Sequence, residues 1–262
     1  MTELTLGISP CPNDVYIFSG LLLGKVQIPG VSFRVDFQDV ETLNARAQAG
    51  VIDVVKISYA NFVHCRESYD LLPCGGALGR GVGPLLLSNG GSWDPDGEVL
   101  VPGEFTTANF LLDFYAGRPQ RKRFLAFDAL YAELLTTPGA QGVVIHEKRF
   151  TYAADGLHLL QDLGDFWERG TGFAIPLGAI AARKGLYQAR LAEAVGESLR
   201  WAYAHDAEAF ALCQEYASDL NPEVVRAHID LYVNSFSEDV GSEGQAAVNF
   251  FFQKQLEFLG RV

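Results

Sequence analysis

Chemically useful side chains lie where apolar segments of this chain end. His146 follows the apolar run "VVI" at 143–145, and an imidazole with an ordinary pKa of about 6.5 suits proton transfer near neutral pH. Ser58 and the pair Thr106–Thr107 each lie where a predicted strand passes into a predicted helix. Helix N-termini carry unpaired N–H groups and partial positive charge, so two of them in one cleft can bind a carboxylate. These residues indicate acid–base chemistry on an anionic ligand.

The same residues also have ordinary structural roles. A Ser or Thr at a helix start stabilises the helix by about 1 kcal/mol, and such capping alone explains Ser58 or Thr106–Thr107 taken singly. Asp14, after the turn "SPCPN", is predicted to cap the first helix. Lys56, at the end of an apolar strand, either attracts an acidic ligand or pairs with a protein carboxylate. Both kinds of role remain open for these positions.

Histidines and cysteines are not spaced as metal ligands. The four cysteines (Cys11, Cys65, Cys74 and Cys213) form no CxxC pair and have no His partner at metal-site spacing, so we predict free thiols. His64 and His228 lie inside helical patterns and are interpreted as structural residues. The glycine-rich segment at 74–83 lacks the GK[ST] ending of a P-loop and does not open a helix, which argues against a nucleotide site.

Repeated strand–helix units must position these residues. Apolar alternation and short apolar runs predict strands at 4–9, 31–39, 51–57, 98–102, 121–127, 142–147 and 176–183. Helical patterns lie between them, one at 59–69, and longer helices are predicted at 187–217, 222–234 and 243–259. Repeated β-α-β units imply an α/β fold of mainly parallel sheets with helices on both faces, followed by a helical C-terminal segment.

The order of elements predicts two lobes. Apolar strand candidates near residues 85 and 178 are the predicted crossing points, and no low-complexity linker separates the halves. We therefore expect a discontinuous first lobe made of residues 1–88 and 178–262, and a second lobe made of residues 89–177. The C-terminal helices return to the first lobe in this arrangement.

Composition excludes several classes of protein. With 48% hydrophobic and 20% charged residues among 262, the chain has enough apolar surface for a globular fold. Its formal charge of −12, with no basic cluster longer than "RKR", disfavours nucleic-acid binding. The N-terminal residues show no secretory signal, and no apolar stretch approaches the roughly 18 residues of a membrane span. We expect a cytoplasmic protein that does not enter the membrane.

Seven short segments spread along the whole chain carry a family resemblance. They are "SPCPND" (9–14), "DVETLN" (39–44), "KISYA" (56–60), "GGALGRGVGP" (75–84), "TTANFLL" (106–112), "IHEKRFTY" (145–152) and "YVNSFSEDVG" (232–241). In this combination and order they resemble the 1,4-dihydroxy-6-naphthoate synthase family of the futalosine route to menaquinone. The resemblance implies the fold of type II periplasmic binding proteins, in which the ligand lies between two α/β lobes.

The resemblance also implies an activity and a set of site residues. The family's enzymes are lyases that convert cyclic dehypoxanthinyl futalosine to 1,4-dihydroxy-6-naphthoate and dihydroxyacetone, so the implied partner is a small acidic substrate and no metal or organic cofactor is expected. Carried over by motif, the catalytic base falls on His146. Substrate contacts fall on Lys56, Ile57, Ser58, Thr107 and Ala108, with Asp14 in the family's first loop.

Two other functions are compatible with the same fold. A binding protein for small carboxylates would share it, although a transport receptor must leave the cytoplasm and no secretory signal is recognised here. Chorismate dehydratase, the sister enzyme of the same pathway, is the second alternative. The effector domain of a transcription regulator is disfavoured because no helix-turn-helix precedes the first strand. Substrate turnover distinguishes these possibilities.

Overall fold

The computed structural model describes residues 2–260, in which strands and helices alternate. The strands are β1 (Thr2–Ile8), β2 (Val31–Phe37), β3 (Val54–Ser58), β4 (Tyr69–Leu71), β5 (Ala77–Gly79), β6 (Leu85–Ser88), β7 (Val99–Val101), β8 (Lys122–Phe124), β9 (Gln141–Val144), β10 (His158–Asp162) and β11 (Ile175–Arg183). The helices are α1 (Pro12–Leu22), α2 (Val40–Gln48), α3 (Phe62–Cys65), α4 (Thr107–Ala116), α5 (Phe127–Thr136), α6 (Leu163–Thr171), α7 (Gln188–Ala204), α8 (Asp206–Tyr216), α9 (Pro222–Tyr232), α10 (Ser235–Glu238) and α11 (Gly241–Phe258). Short 3₁₀ helices cover Tyr59–Asn61 and His146–Phe150. In this part of the chain, every helix is too short or too polar to cross a bilayer.

Two β-sheets organise the chain. The first has the strand order β2-β1-β3-β11-β4, with β5 also paired to β11, and the second has the order β10-β6-β9-β7-β8. The prediction of mainly parallel sheets is wrong in detail, since within residues 2–260 four strand pairs are parallel and five are antiparallel. All five antiparallel pairs involve β6 or β11. These are the first strands that form after the chain crosses from one sheet to the other.

The sheets divide the chain at slightly different residues from the predicted lobes. β6 (Leu85–Ser88) belongs to the second sheet, and β11 begins at Ile175 in the first. A buried apolar strand looks the same whichever sheet it joins, so its residues do not reveal the boundary. We retain the discontinuous first lobe as a proposal, with the crossings placed at 80–84 and 163–174.

Helical packing holds the start of α1 in place. Helices α7, α8 and α9 pack against α1, whose inward residues are fully buried beside those of α7. The helical pattern at 187–217 forms two helices, with His205 between them. The predicted helix at 59–69 is shorter than expected: it becomes a 3₁₀ turn and the single-turn α3, and the buried Tyr69 starts β4.

The two crossing segments touch at a pair of glycines. Asp162 caps α6 by accepting from the amides of Gly164 and Asp165, which brings the first turn of α6 against the segment that leads into β6. The amide of Leu163 donates to the carbonyl of Pro84 (3.0 Å). A Cβ on Gly164 would lie 2.6 Å from the Cα of Gly83. The backbones approach this closely because neither residue has a side chain.

We expect Gly164→Ala to lower the free energy of unfolding by about 1–3 kcal/mol, the usual cost of overpacking a tight contact. Gly170→Ala is the matched control, because it lies in the same helix with no atom within 4 Å of its added Cβ. That control should raise the free energy of unfolding by about 0.5–1 kcal/mol through helix propensity. Chemical denaturation of both variants checks the prediction, and equal effects would contradict it.

Candidate active site

A cleft of about 700 Å³, open to solvent, lies between the two sheets. Its walls come from the start of α1, the ends of β3 and β9, the start of α4, the middle of β11 and the side of α9. Six of the seven residues predicted for the site line it: Asp14, Lys56, Ser58, Thr107, Ala108 and His146.

Ile57 is the predicted site residue whose side chain does not line the cleft. Side chains alternate along a strand, so Lys56 and Ser58 face the cleft while Ile57 points to the opposite face of β3. Its side chain is fully buried in the apolar core, and its backbone pairs with Ala179 of β11. The side chain of Ile57 therefore supports the strand rather than the ligand.

A buried ion pair forms part of the cleft wall. Nζ of Lys56 lies 2.7 Å from Oδ1 of Asp14, and their side chains are 6% and 2% exposed. The Asp14 carboxylate also accepts from the Ser9 hydroxyl (2.7 Å) and the Asn13 amide (2.9 Å). Of the two roles predicted for Lys56, pairing with a protein carboxylate is the one observed. Asp14 is not the cap that was predicted, because α1 has Cys11 as its N-cap and Asp14 lies in its first turn.

Ser58 is held by a residue from α2. The amide of Ser58 donates to Oδ1 of Asn44 (2.9 Å), and Nδ2 of Asn44 donates to the Ser58 hydroxyl oxygen (3.2 Å). The Ser58 side chain makes no capping bond to the 3₁₀ helix that follows, so the predicted capping role is wrong. Because its oxygen accepts from Asn44, the hydroxyl hydrogen is left to donate to a ligand.

The N-terminus of α4 supplies the second anion-binding element. Thr106 caps the helix as predicted, with its hydroxyl accepting from the Asn109 amide (3.2 Å). The Thr107 hydroxyl donates to the carbonyl of Leu177 on β11 (3.0 Å), which fixes the helix start against the first sheet. The amides of Thr107 and Ala108 lie in the first turn, where no intrahelical carbonyl faces them. A carboxylate in the cleft can accept from these amides.

His146 has an unusual backbone conformation. It is the non-glycine residue with positive φ (59°) within residues 2–260, at the start of a 3₁₀ helix that follows β9. Its Nδ1 lies 3.4 Å from Sγ of Cys11, and its ring packs edge-on against Phe127. Burial of the ring acts to lower its pKa, but the negative charges of Cys11, Glu147 and Asp14 outweigh burial and raise the pKa to about 9. Strained, charge-perturbed residues of this kind are concentrated in functional sites.

His228 is a cleft residue that sequence reasoning missed. It is 1% exposed, and its ring is nearly parallel to that of His146 at 6.5 Å between centroids. Since the Asn13 amide nitrogen donates to Asp14, the Asn13 oxygen must accept from Nε2 of His228 (3.0 Å). Burial, with the positive charges of His146 and Lys56, lowers the pKa of His228 to about 3. His228 is therefore neutral beside a basic His146.

Arg149 and Lys148 of the "HEKRF" segment make contacts away from the cleft. Arg149 lies 3.2 Å from the Asp162 carboxylate and also donates to the carbonyl of Gly83, so it ties the end of β9 to the crossing segment. The Lys148 ammonium lies 5.1 Å from the centre of the Tyr131 ring. In this run of charged residues, His146 is the one that lines the cleft.

Comparison with known proteins agrees with this arrangement. Residues 4–257 match the family described as "Menaquinone biosynthesis". A 1,4-dihydroxy-6-naphthoate synthase of Thermus thermophilus is 44% identical over 261 residues, covering 96% of this chain and 93% of that protein. A 1,4-dihydroxy-6-naphthoate synthase of Streptomyces coelicolor is 41% identical over 255 residues, covering 94% and 90%.

Solved structures establish the fold class. Protein AF1704 of Archaeoglobus fulgidus is 27% identical with a TM-score of 0.91, covering 99% of this chain and 98% of that one. The alkanesulfonate-binding protein SsuA of Xanthomonas axonopodis, bound to MOPS, is 14% identical with a TM-score of 0.69, covering 98% and 94%. The predicted two-lobed, periplasmic-binding-protein-like α/β fold is thereby confirmed. From the family match and the identity to both synthases, the chain belongs to the 1,4-dihydroxy-6-naphthoate synthases of menaquinone biosynthesis.

Proposed function

We propose that this protein is a carbon–carbon lyase that converts cyclic dehypoxanthinyl futalosine to 1,4-dihydroxy-6-naphthoate and dihydroxyacetone. The proposal is supported by the family assignment and by one observation above the others. That observation is the position of His146, which faces the same cleft as the start of α4 and the hydroxyl of Ser58. A base and an anion-binding end are thus available to a single acidic substrate.

In the proposed reaction, the ring carboxylate binds at the amides of Thr107 and Ala108 and at the hydroxyl of Ser58. Neutral His146 removes a proton next to the substrate ketone. The carbon–carbon bond to the sugar-derived fragment then breaks with its electron pair passing to the ring, a carbinol carbon of the fragment becomes the carbonyl carbon, and the proton held by His146 returns to a product oxygen. The three-carbon fragment leaves as dihydroxyacetone, and the remaining ring becomes aromatic, which supplies the driving force. Binding of the carboxylate at a fixed place holds the reacting carbon in position beside His146, which lowers the entropic part of the activation barrier.

Turnover of the purified protein tests this proposal. Incubation with cyclic dehypoxanthinyl futalosine should give 1,4-dihydroxy-6-naphthoate and dihydroxyacetone in equal amounts, measured by chromatography and mass spectrometry. Binding of the compound without conversion would contradict the proposal and favour a solute-binding role. Dehydration of chorismate by the same preparation would replace the proposed substrate with that of the sister enzyme.

The anion-binding end can be tested separately. Ser58→Val and Thr107→Val should each weaken binding of 1,4-dihydroxy-6-naphthoate by about 1–3 kcal/mol, the cost of losing one charge-assisted hydrogen bond or the helix position that supports it. Isothermal titration of both variants measures the change. Thr136→Val is the control, because its exposed hydroxyl bonds to carbonyls within α5. Unchanged affinity in both cleft variants would remove Ser58 and Thr107 from the site.

A further inference from the structure

The ring of His146 has a sulfur neighbour. Sγ of Cys11 lies 3.4 Å from Nδ1, and Cys11 is not among the described residues that line the cleft. Because Nδ1 faces this sulfur, Nε2 is the ring nitrogen left for a ligand. A histidine that accepts a proton at Nε2 must carry its other proton on Nδ1, and that N–H needs an acceptor when it is away from water.

Cys11 lies at the start of a helix, unlike the other three cysteines. Cys11 is the N-cap of the 11-residue helix α1, and its side chain makes no capping bond. A helix N-terminus and an adjacent imidazolium both stabilise a thiolate. The other thiols are different in kind: Cys65, Cys74 and Cys213 are buried, and burial raises their pKa values to about 11, 11 and 12. Cys11 is the partly exposed cysteine.

We propose that the Cys11 sulfur accepts a hydrogen bond from Nδ1–H of His146 and so selects the tautomer that acts as a base at Nε2. Cys11 is then a positioning residue, acting through His146 and not on the substrate. The inference rests on the proposed function, because it takes His146 as the base. In catalytic triads, a carboxylate accepts from Nδ1–H of the histidine and fixes its tautomer. Here the sulfur of Cys11 takes the place of that carboxylate.

The surrounding charges agree with this role. The titratable groups near His146 are Cys11 and Asp14 of α1, Lys56 of β3, the adjacent Glu147, and His228 of α9. The charge of Asp14 is matched by Lys56, and His228 is neutral, so Cys11 is the polar side chain in direct contact with Nδ1 of His146. With the pKa of His146 at about 9, the imidazolium dominates at neutral pH and the base form appears as pH rises. Activity should therefore increase with pH up to that value.

Alkylation of Cys11 tests the pair without any substrate. At about pH 7, the rate of alkylation of Cys11 by iodoacetamide, mapped by peptide mass spectrometry, should be at least about tenfold higher in the wild type than in His146→Asn, which lacks the cation beside the sulfur. Equal rates in the two proteins would overturn the proposal.

The pH profile of kcat/KM tests the effect on the base. Cys11→Ser keeps a small side chain but removes the sulfur, so the midpoint of the acidic limb should move to lower pH, because only Glu147 and Asp14 then oppose the effect of burial on His146. Cys11→Asp supplies an anionic acceptor and should keep that midpoint within about 1 pH unit of the wild type. A limb that stays in place in Cys11→Ser contradicts the role. If the wild type does not convert the futalosine derivative at all, the proposed function is wrong. The alkylation experiment uses no substrate, so it still tests the contact between Cys11 and His146.

Discussion

Replacing His146 by Asn should lower kcat by about 10²–10⁴-fold, the usual contribution of a general base, while the melting temperature stays close to that of the wild type. Asn is preferred to Ala because His146 has φ of 59°, a conformation that Asn adopts more readily than other L-residues. Loss of activity then reflects the missing imidazole and not a strained loop. Steady-state kinetics with cyclic dehypoxanthinyl futalosine and thermal unfolding by circular dichroism measure both quantities.

His158→Asn is the matched control for this experiment. His158 is exposed at the start of β10 and does not line the cleft, so the same substitution there should leave kcat within about twofold of the wild type. A His146→Asn enzyme with nearly normal kcat would rule out His146 as the base. The anion-binding end of the cleft would then need a different catalytic partner.

Asp14→Asn should lower the free energy of unfolding by about 3–5 kcal/mol, because it leaves the ammonium of Lys56 buried without a counter-charge. The pair is 2.7 Å apart with both side chains nearly inaccessible, and Asp14 also holds the Ser9 hydroxyl. The shape of the side chain is kept, so the loss measures the charge rather than a cavity. Urea denaturation followed by tryptophan fluorescence gives the value.

Two comparisons separate this effect from a general sensitivity to lost charge. The double variant Asp14→Asn with Lys56→Met should recover most of the stability, since neither charge is then buried alone. Lys25→Met breaks the exposed pair with Glu208, whose side chains are 44% and 49% exposed, and should cost less than about 1 kcal/mol. Equal losses in Asp14→Asn and Lys25→Met would contradict a special role for the buried pair.

Elements with a clear repeating pattern were predictable from local sequence. Val31–Phe37 alternates apolar and polar residues over its whole length, and α4 has both a Thr cap and a closing glycine. The strands β4 and β5 were not predicted, because each has three residues and no pattern can be recognised in so few. They form because β11 offers hydrogen-bonding partners to both. The direction of β6 and β11 was also not predicted. It depends on the end of the sheet at which the chain enters, and the residues of the strand itself do not reveal this.

The candidate site was partly predictable because its chemistry lies at strand ends. Lys56, Ser58 and His146 each follow an apolar run, and the structure brings all three into the cleft. His228 could not be found in this way, because it lies in the middle of α9 and reaches the cleft through the packing of that helix on the 146–150 segment. Neither its spacing nor its neighbours in the chain distinguish it from a core histidine.

The position of β11 has a consequence for synthesis of the chain on the ribosome. All strands of the second sheet lie between Leu85 and Asp162, so they have been translated before β11 (Ile175–Arg183), which pairs with β3, β4 and β5. Until β11 emerges, the edge of β3 in the nascent first sheet remains open to non-native pairing. The first sheet is therefore begun first and completed last during translation. The cleft between the two sheets forms only after β11 has been synthesised.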